Sequence, residues 1–148
     1  MNSHSLCKIF TIATQYFQTL SLLLARVLIG YGFYEPAMKK WNDIDSVAQW
    51  FESMHIPLPT ISAYMAASTE ILGVGLLILG LFTRLISLPL IIIMIVAIFT
   101  VHLPNGFSAG ENGYEIPLYY MVFLMFFVSF GAGKLSVDNL LFKNKSCK

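Results

Sequence analysis

The sequence predicts an all-α polytopic membrane protein: four transmembrane helices in a bundle, with a short amphipathic helix lying at the interface between spans one and two. Two observations carry this. Of 148 residues 57% are hydrophobic and only 11% charged, with a mean hydropathy of +0.72, whereas a soluble domain carries about 25% charged residues. The chain also divides into four apolar runs that approach the ~20 residues a spanning helix needs, separated by segments rich in turn residues. At this length one domain, residues 1–148, is expected.

The first span is placed at about residues 18–36, where the run Leu20 to Tyr34 carries a single charge, Arg26. Pro36 is expected to end it, because proline lacks the N–H that continues a helical ladder. Residues 1–19 are more polar, with Gln15 and Gln18, and read as a surface-lying prelude. Only Lys8 precedes the apolar run and no small-residue cleavage site follows, so the span is expected to be retained. In the connection 37–59, Ile44, Val47, Ala48, Phe51 and Met54 recur at helical spacing, which predicts the interfacial helix at about 43–55. Asn42 and Asp43 suit its start, Pro57 and Pro59 its close, and Trp41 and Trp50 the aromatic belt.

The second span, at about 60–82, holds Glu70 near its middle. Ala63, Ala66, Glu70 and Gly73 fall on one helical stripe, opposite Leu72, Leu76 and Leu79. Small residues allow a neighbouring helix to approach, so Glu70 is expected to face protein. A turn of two or three residues near Phe82–Arg84 leads to span three, at about 85–103, interrupted by Ser87, Pro89, Thr100 and His102. A turn-rich loop precedes span four, at about 115–132, whose Met and Phe residues read as core or lipid-facing. A basic tail follows, with Ser136 as the cap of a short helix.

Four spans place both termini on one side. Lys8, Arg84, Lys134, Lys143, Lys145 and Lys148 fall there, against Lys39 and Lys40 on the other, so the termini are expected in the cytoplasm. Arg84 at a helix end is expected to snorkel to head groups. A net charge of +1 without a basic cluster excludes nucleic acid as a partner. Cys7 and Cys147, at opposite ends of the chain, have no zinc-like spacing and read as unpaired. There is no phosphate-cradling glycine loop, nucleophile elbow or CxxCH haem attachment.

Two groups of residues invite chemistry. Arg26 lies eight residues before Tyr34 and Glu70 nine after Ile61, which puts both roughly 12–14 Å below the outer boundary. The two are predicted to pair, either as glue between helices or as a site that binds a polar head group, relays a proton or orients a redox ligand. At the outer mouth Glu35, His102 and Glu115 form a second candidate, with Tyr119 one turn after Glu115; His102 is its candidate metal ligand. His4 and His55 lie in accessible segments.

Glu70-Ile-Leu-Gly-Val-Gly followed by Gly80-Leu-Phe-Thr-Arg84 resembles the DoxX family of small bacterial membrane proteins. So do LLLARVLIGYGFYEPAMKKW and Gly131-Ala-Gly-Lys-Leu-Ser-Val-Asp138, so that the resemblance covers about residues 20–142. AASTEILG and SLPLIIIMIVAIFTVHLPNGF look most like its HvfX branch, which is associated with the maturation of copper-binding peptides. The resemblance implies a four-helix fold in the bacterial inner membrane, association with protein partners in redox systems, and weight on Glu70, Arg84 and His102. Two functions follow as expectations. One is a membrane redox component holding a quinone near Arg26 and Glu70. The other is a non-catalytic partner in copper-peptide maturation or metal handling, with copper near His102; either could be oligomeric. A transporter is less supported, because no inverted repeat or broken helix is evident.

Overall fold

The computed structural model describes residues 3–142, with side chains from Phe10 onward. The expectations attached to the side chains of His4, Cys7 and Lys8, and to Lys143, Lys145, Cys147 and Lys148, lie outside the described residues. The chain forms α1 (Ser3–Asn42), α2 (Ile44–Ser53), α3 (Pro59–Leu79), α4 (Thr83–Ala97), α5 (Glu115–Phe130) and α6 (Val137–Phe142). A π-helical turn, Ile98–His102, and a 3-10 turn, Leu103–Asn105, extend α4. A second 3-10 turn, Ala109–Glu111, lies in the loop before α5. Among the described residues no strand is present. Among the described residues three stretches are long and apolar enough to cross a membrane: Phe10–Asn42, Pro59–Leu79 and Thr83–Asn105. The apolar α5 is shorter, at 16 residues.

Pro36 does not end the first helix. α1 runs 40 residues, straight through the proline to Asn42. A proline inside a helix removes one hydrogen bond and strains one turn, a cost that tertiary packing can offset. That packing continues past Pro36: Arg26, Ile29, Phe33 and Ala37 are all buried, at steps of three and four. Within the predicted prelude, residues 3–19 are no separate element, because they belong to the same helix.

α3 packs antiparallel on α1, α4 on α3 and α5 on α4. The ring of Phe33 on α1 meets that of Tyr120 on α5 at 5.3 Å, which closes the bundle. Ile29, Phe33, Leu77, Leu90, Leu124 and Phe127 make the core between them. On α3 Ala63, Glu70 and Gly73 of the predicted stripe are buried, whereas Ala66 is half-buried and its neighbour Ala67 lies inside instead. Leu72 and Leu79, across the helix, are exposed and Leu76 is half-buried. The apolar stripe of α2 packs on α3: Ala48 and Phe51 bury against Ala63, with Val47 and Met54 beside them. Asp43 caps α2 by accepting the Ser46 N–H at 3.2 Å, which holds its carboxyl below the usual range.

The opposite end of the bundle is tied by Arg26. This fully buried guanidinium donates from Nη1 to the Leu77 carbonyl at 3.3 Å and from Nη2 to the Leu135 carbonyl. Asp138 supplies a nearby opposite charge. Its carboxylate also accepts the Phe82 and Thr83 N–H groups, at 2.8 and 3.2 Å, which caps the start of α4. Its own N–H donates to the Gly80 carbonyl at 3.0 Å. Gly80 makes this convergence possible: its φ is +69°, and a β-carbon there would overlap the Arg26 guanidinium and crowd Ser136. Ser136 Oγ accepts the Asn139 N–H at 3.1 Å and so caps α6, as the sequence suggests. Arg84, expected at head groups, donates instead to the Ser129 carbonyl at 3.2 Å, near the end of α5.

Gly80→Ala should lower stability by more than the about 1–2 kcal/mol that a left-handed backbone costs an alanine, because steric overlap adds to it. Gly75 has open space where its β-carbon would go, so Gly75→Ala should be neutral or stabilising by up to about 1 kcal/mol. Thermal unfolding of the solubilised variants measures both, and equal shifts would contradict the packing described.

Candidate functional site

Glu70 is only 2% exposed and lies midway along α3. Its neighbours on the buried stripe are alanines and a glycine, which let other helices close around it without a bulky side chain intervening. At Gly73 the space for a β-carbon is taken by Leu90 of α4. From the last turn of α1, Lys40 reaches this carboxylate: Nζ donates to Oε1 at 2.9 Å and to Oε2 at 2.8 Å. The lysine side chain keeps 20% exposure while the carboxylate has almost none.

The predicted Arg26–Glu70 pair is therefore not formed. Arg26 bonds at Leu77, seven residues further along α3, or about 10 Å at helical rise. The error lies in the outer boundary: depth counted from Tyr34 treats Pro36 as a terminus, whereas α1 continues to Asn42. The eight residues from Tyr34 to Asn42 move Arg26 about 12 Å further from the end of its helix. The same misplacement hid Lys40, which read as a charge outside the span. A usable signal was present, since the buried series 26, 29, 33 and 37 reaches 40 at its next step.

The ion pair faces a half-open cavity of roughly 530 Å³ lined by residues of α1 to α5 and the π-helical turn. Most of its wall is apolar. Its polar groups are few: Lys40, Glu70, Ser62, Thr69, Thr100, His102, Tyr120 and the indole of Trp50. The helices around it are irregular where they meet it. Pro36 and Pro89 both line it, and each deprives the carbonyl four residues earlier, at Gly32 and Leu85, of its helical donor. The π-helical turn contributes Thr100, Val101 and His102 to the wall. Such widened turns are rare and concentrate at functional sites. Gly32 is small by necessity, because the Tyr120 hydroxyl lies where its β-carbon would be.

The residues predicted at the outer mouth each have a local partner. Glu35 pairs with Lys39 at 2.6 Å, one turn away on α1. Glu115 accepts the Ala109 N–H at 3.0 Å and the Tyr119 hydroxyl at 3.1 Å, which confirms the one-turn relation between those two side chains. His102 Nδ1 meets the Asn112 carbonyl at 2.8 Å. A carbonyl only accepts, so Nδ1 carries the hydrogen and Nε2 is the free acceptor of the neutral ring. Among the described residues no three His, Cys, Asp or Glu side chains gather as a metal ion would require. Of this cluster only His102 lines the cavity; Tyr120, which also does, was not singled out by sequence reasoning.

The chain belongs to the DoxX family, which it matches over residues 21–103. It is 35% identical over 127 residues to an uncharacterized protein of Haemophilus influenzae, covering 83% of this chain and 84% of the relative. It is 30% identical over 123 residues to a Bacillus subtilis protein named "Putative oxidoreductase CatD", covering 83% and 88%. With a Mycobacterium tuberculosis protein named "Uncharacterized membrane protein Rv3486" it shares 31% identity over 134 residues, covering 83% and 82%. No solved structure matches significantly.

A double-mutant cycle tests the pairing. Lys40→Met or Glu70→Leu alone should cost about 3–5 kcal/mol by leaving a buried charge uncompensated, and the double variant should recover most of that loss. Arg26→Met combined with Glu70→Leu should instead be additive to within about 0.5 kcal/mol. Coupling in the second cycle, measured by reversible unfolding in detergent, would reinstate the contact predicted from sequence.

Proposed function

We propose that this DoxX-family chain is a four-span protein of the bacterial inner membrane, with cytoplasmic termini, that binds a lipophilic quinone in the Lys40–Glu70 cavity as the membrane component of a redox system. The single observation that carries this reading is the cavity itself: about 530 Å³, apolar over most of its wall, with a buried ion pair facing into it. Sites for drug-sized ligands run from about 300 to 1,000 Å³, with a few placed polar groups that fix orientation. An apolar wall suits a ring and the start of a prenyl tail, whereas a sugar or an ionic metabolite would lose its hydration there without replacement.

Quinone supplies a carbonyl pair whose reduction to the hydroquinone consumes two electrons and two protons. Each side chain then has a definite role. An ammonium has three hydrogens, and Glu70 engages two of the Lys40 hydrogens, which leaves one for a ligand carbonyl. Glu70 holds that ammonium in place and is the nearest carboxylate for proton transfer. His102, with Nε2 as acceptor, is a second proton-exchanging group on the same wall. Electrons come from a partner redox protein, since the sequence has no haem-attachment motif. The name of the Bacillus subtilis relative is in keeping with this reading. The charge count of the sequence supports cytoplasmic termini.

Mass spectrometry of lipid extracts from the gently solubilised protein should find quinone retained with the chain. Lys40→Met should weaken quinone binding by about tenfold or more, because a hydrogen bond from a charged donor contributes about 1.5–3 kcal/mol. The lipid-facing Leu72→Ala should leave binding unchanged. Recovery of phospholipid alone, or equal quinone affinity in Lys40→Met, would refute the proposal.

A further inference from the structure

One face of α1 takes no part in the bundle. Phe10, Phe17, Leu24, Leu28, Tyr31 and Glu35 follow one another at steps of seven, seven, four, three and four, and all are exposed. This is the heptad spacing by which two helices pair. By helical phase the series lies opposite Arg26, Ile29, Phe33 and Ala37, the buried face of the same helix.

One feature of this stripe is unsuited to lipid, and a second carries it past the end of the bundle. The first is the Glu35–Lys39 ion pair, whose side chains are 75% and 74% exposed. On α1, Gly30 lies against Leu77 and Ile78 while Lys40 reaches Glu70, so Glu35 sits between those levels, within the ~31 Å length of α3. Charged side chains at such a depth almost always face protein or a water-filled cavity. The second is the helix beyond Leu20. Residues 10–18 are exposed on every side, and the large apolar residues continue along the same seam.

We infer that this face is covered by α1 of a second copy of the chain, so that the protein is a parallel two-fold dimer about its first helix. The argument for a second copy is self-complementarity. A heptad seam matches itself, and chains inserted in one orientation present their α1 helices in parallel. Each copy brings both signs of charge one turn apart, so two Glu35–Lys39 pairs across the seam form a neutral set in which each carboxylate has two ammonium groups to choose from. A seam that runs on from Leu20 to Phe10 is buried by a like helix of equal length, whereas a short partner segment would leave it bare. The inference concerns the outer face of α1 and does not depend on what the cavity binds.

Single cysteines placed at Leu24 or Leu28, in a chain with Cys7→Ser and Cys147→Ser, should be cross-linked by mild oxidation in native membranes to a species of twice the chain mass. Cysteines at Leu72 or Ile92, exposed on α3 and α4, should not. Glu35→Lys, which places like charges on the seam, should reduce the cross-linked fraction at Leu28 several-fold while quinone or lipid occupancy of the cavity stays as in the parent chain. A monomer by analytical ultracentrifugation of the unsubstituted chain in mild detergent would overturn the dimer. So would dimer at Leu24 and Leu28 no greater than at the control positions, or an adduct at those positions to a different protein.

Discussion

The Lys40–Glu70 ion pair is the constraint around which the rest of the molecule is arranged. A carboxylate that is 2% exposed must have a compensating charge, and that charge sits on another helix thirty residues earlier in the chain. For Lys40 to arrive there, α1 must remain helical beyond Pro36 and stay close to α3 over its whole shared length. The small residues of α3 and the absence of a side chain at Gly30, which lies against Val74, Leu77 and Ile78, make that closeness sterically possible. The pair thus fixes both the register of α1 on α3 and the polarity of the cavity that the two helices share.

At the other end of the bundle the chemistry is of a different kind. Arg26 donates from its two terminal nitrogens to main-chain carbonyls, with Asp138 as its countercharge, and Asp138 is in turn occupied by the first N–H groups of α4. One guanidinium and one carboxylate thereby bind together α1, the end of α3, the start of α4 and the segment that follows α5. The left-handed backbone at Gly80 is what lets those groups meet. This end serves structure. At the cavity end an ion pair borders a mostly apolar wall.

Irregular helices are concentrated on the cavity side. Pro36, Pro89 and the π-helical turn all interrupt hydrogen bonding along its wall, while Leu77, Leu90 and Leu124 pack the regular core. In a membrane, backbone groups without helical partners are tolerated only where protein or a cavity surrounds them. Their placement is consistent with a wall shaped for something other than close packing.

The sequence by itself determined the helical class, the positions of α2 to α5 to within a few residues, the capping roles of Asp43 and Ser136, and the buried face of α3 around Glu70. These follow from local properties: apolar run length, helical periodicity, turn residues and side chains that cap their own segment. Only the tertiary structure decided the partner of Glu70 and the end of α1. Whether a helix survives a proline depends on packing energy from residues far away in the chain, and local propensity at Pro36 pointed the wrong way. Pairing across helices then inherits that error, because a shift of a few residues in one boundary moves every contact along an antiparallel neighbour. Arg26 was visible as a buried charge, but its partners are carbonyls and Asp138, over a hundred residues on, a juxtaposition that no spacing within the sequence encodes.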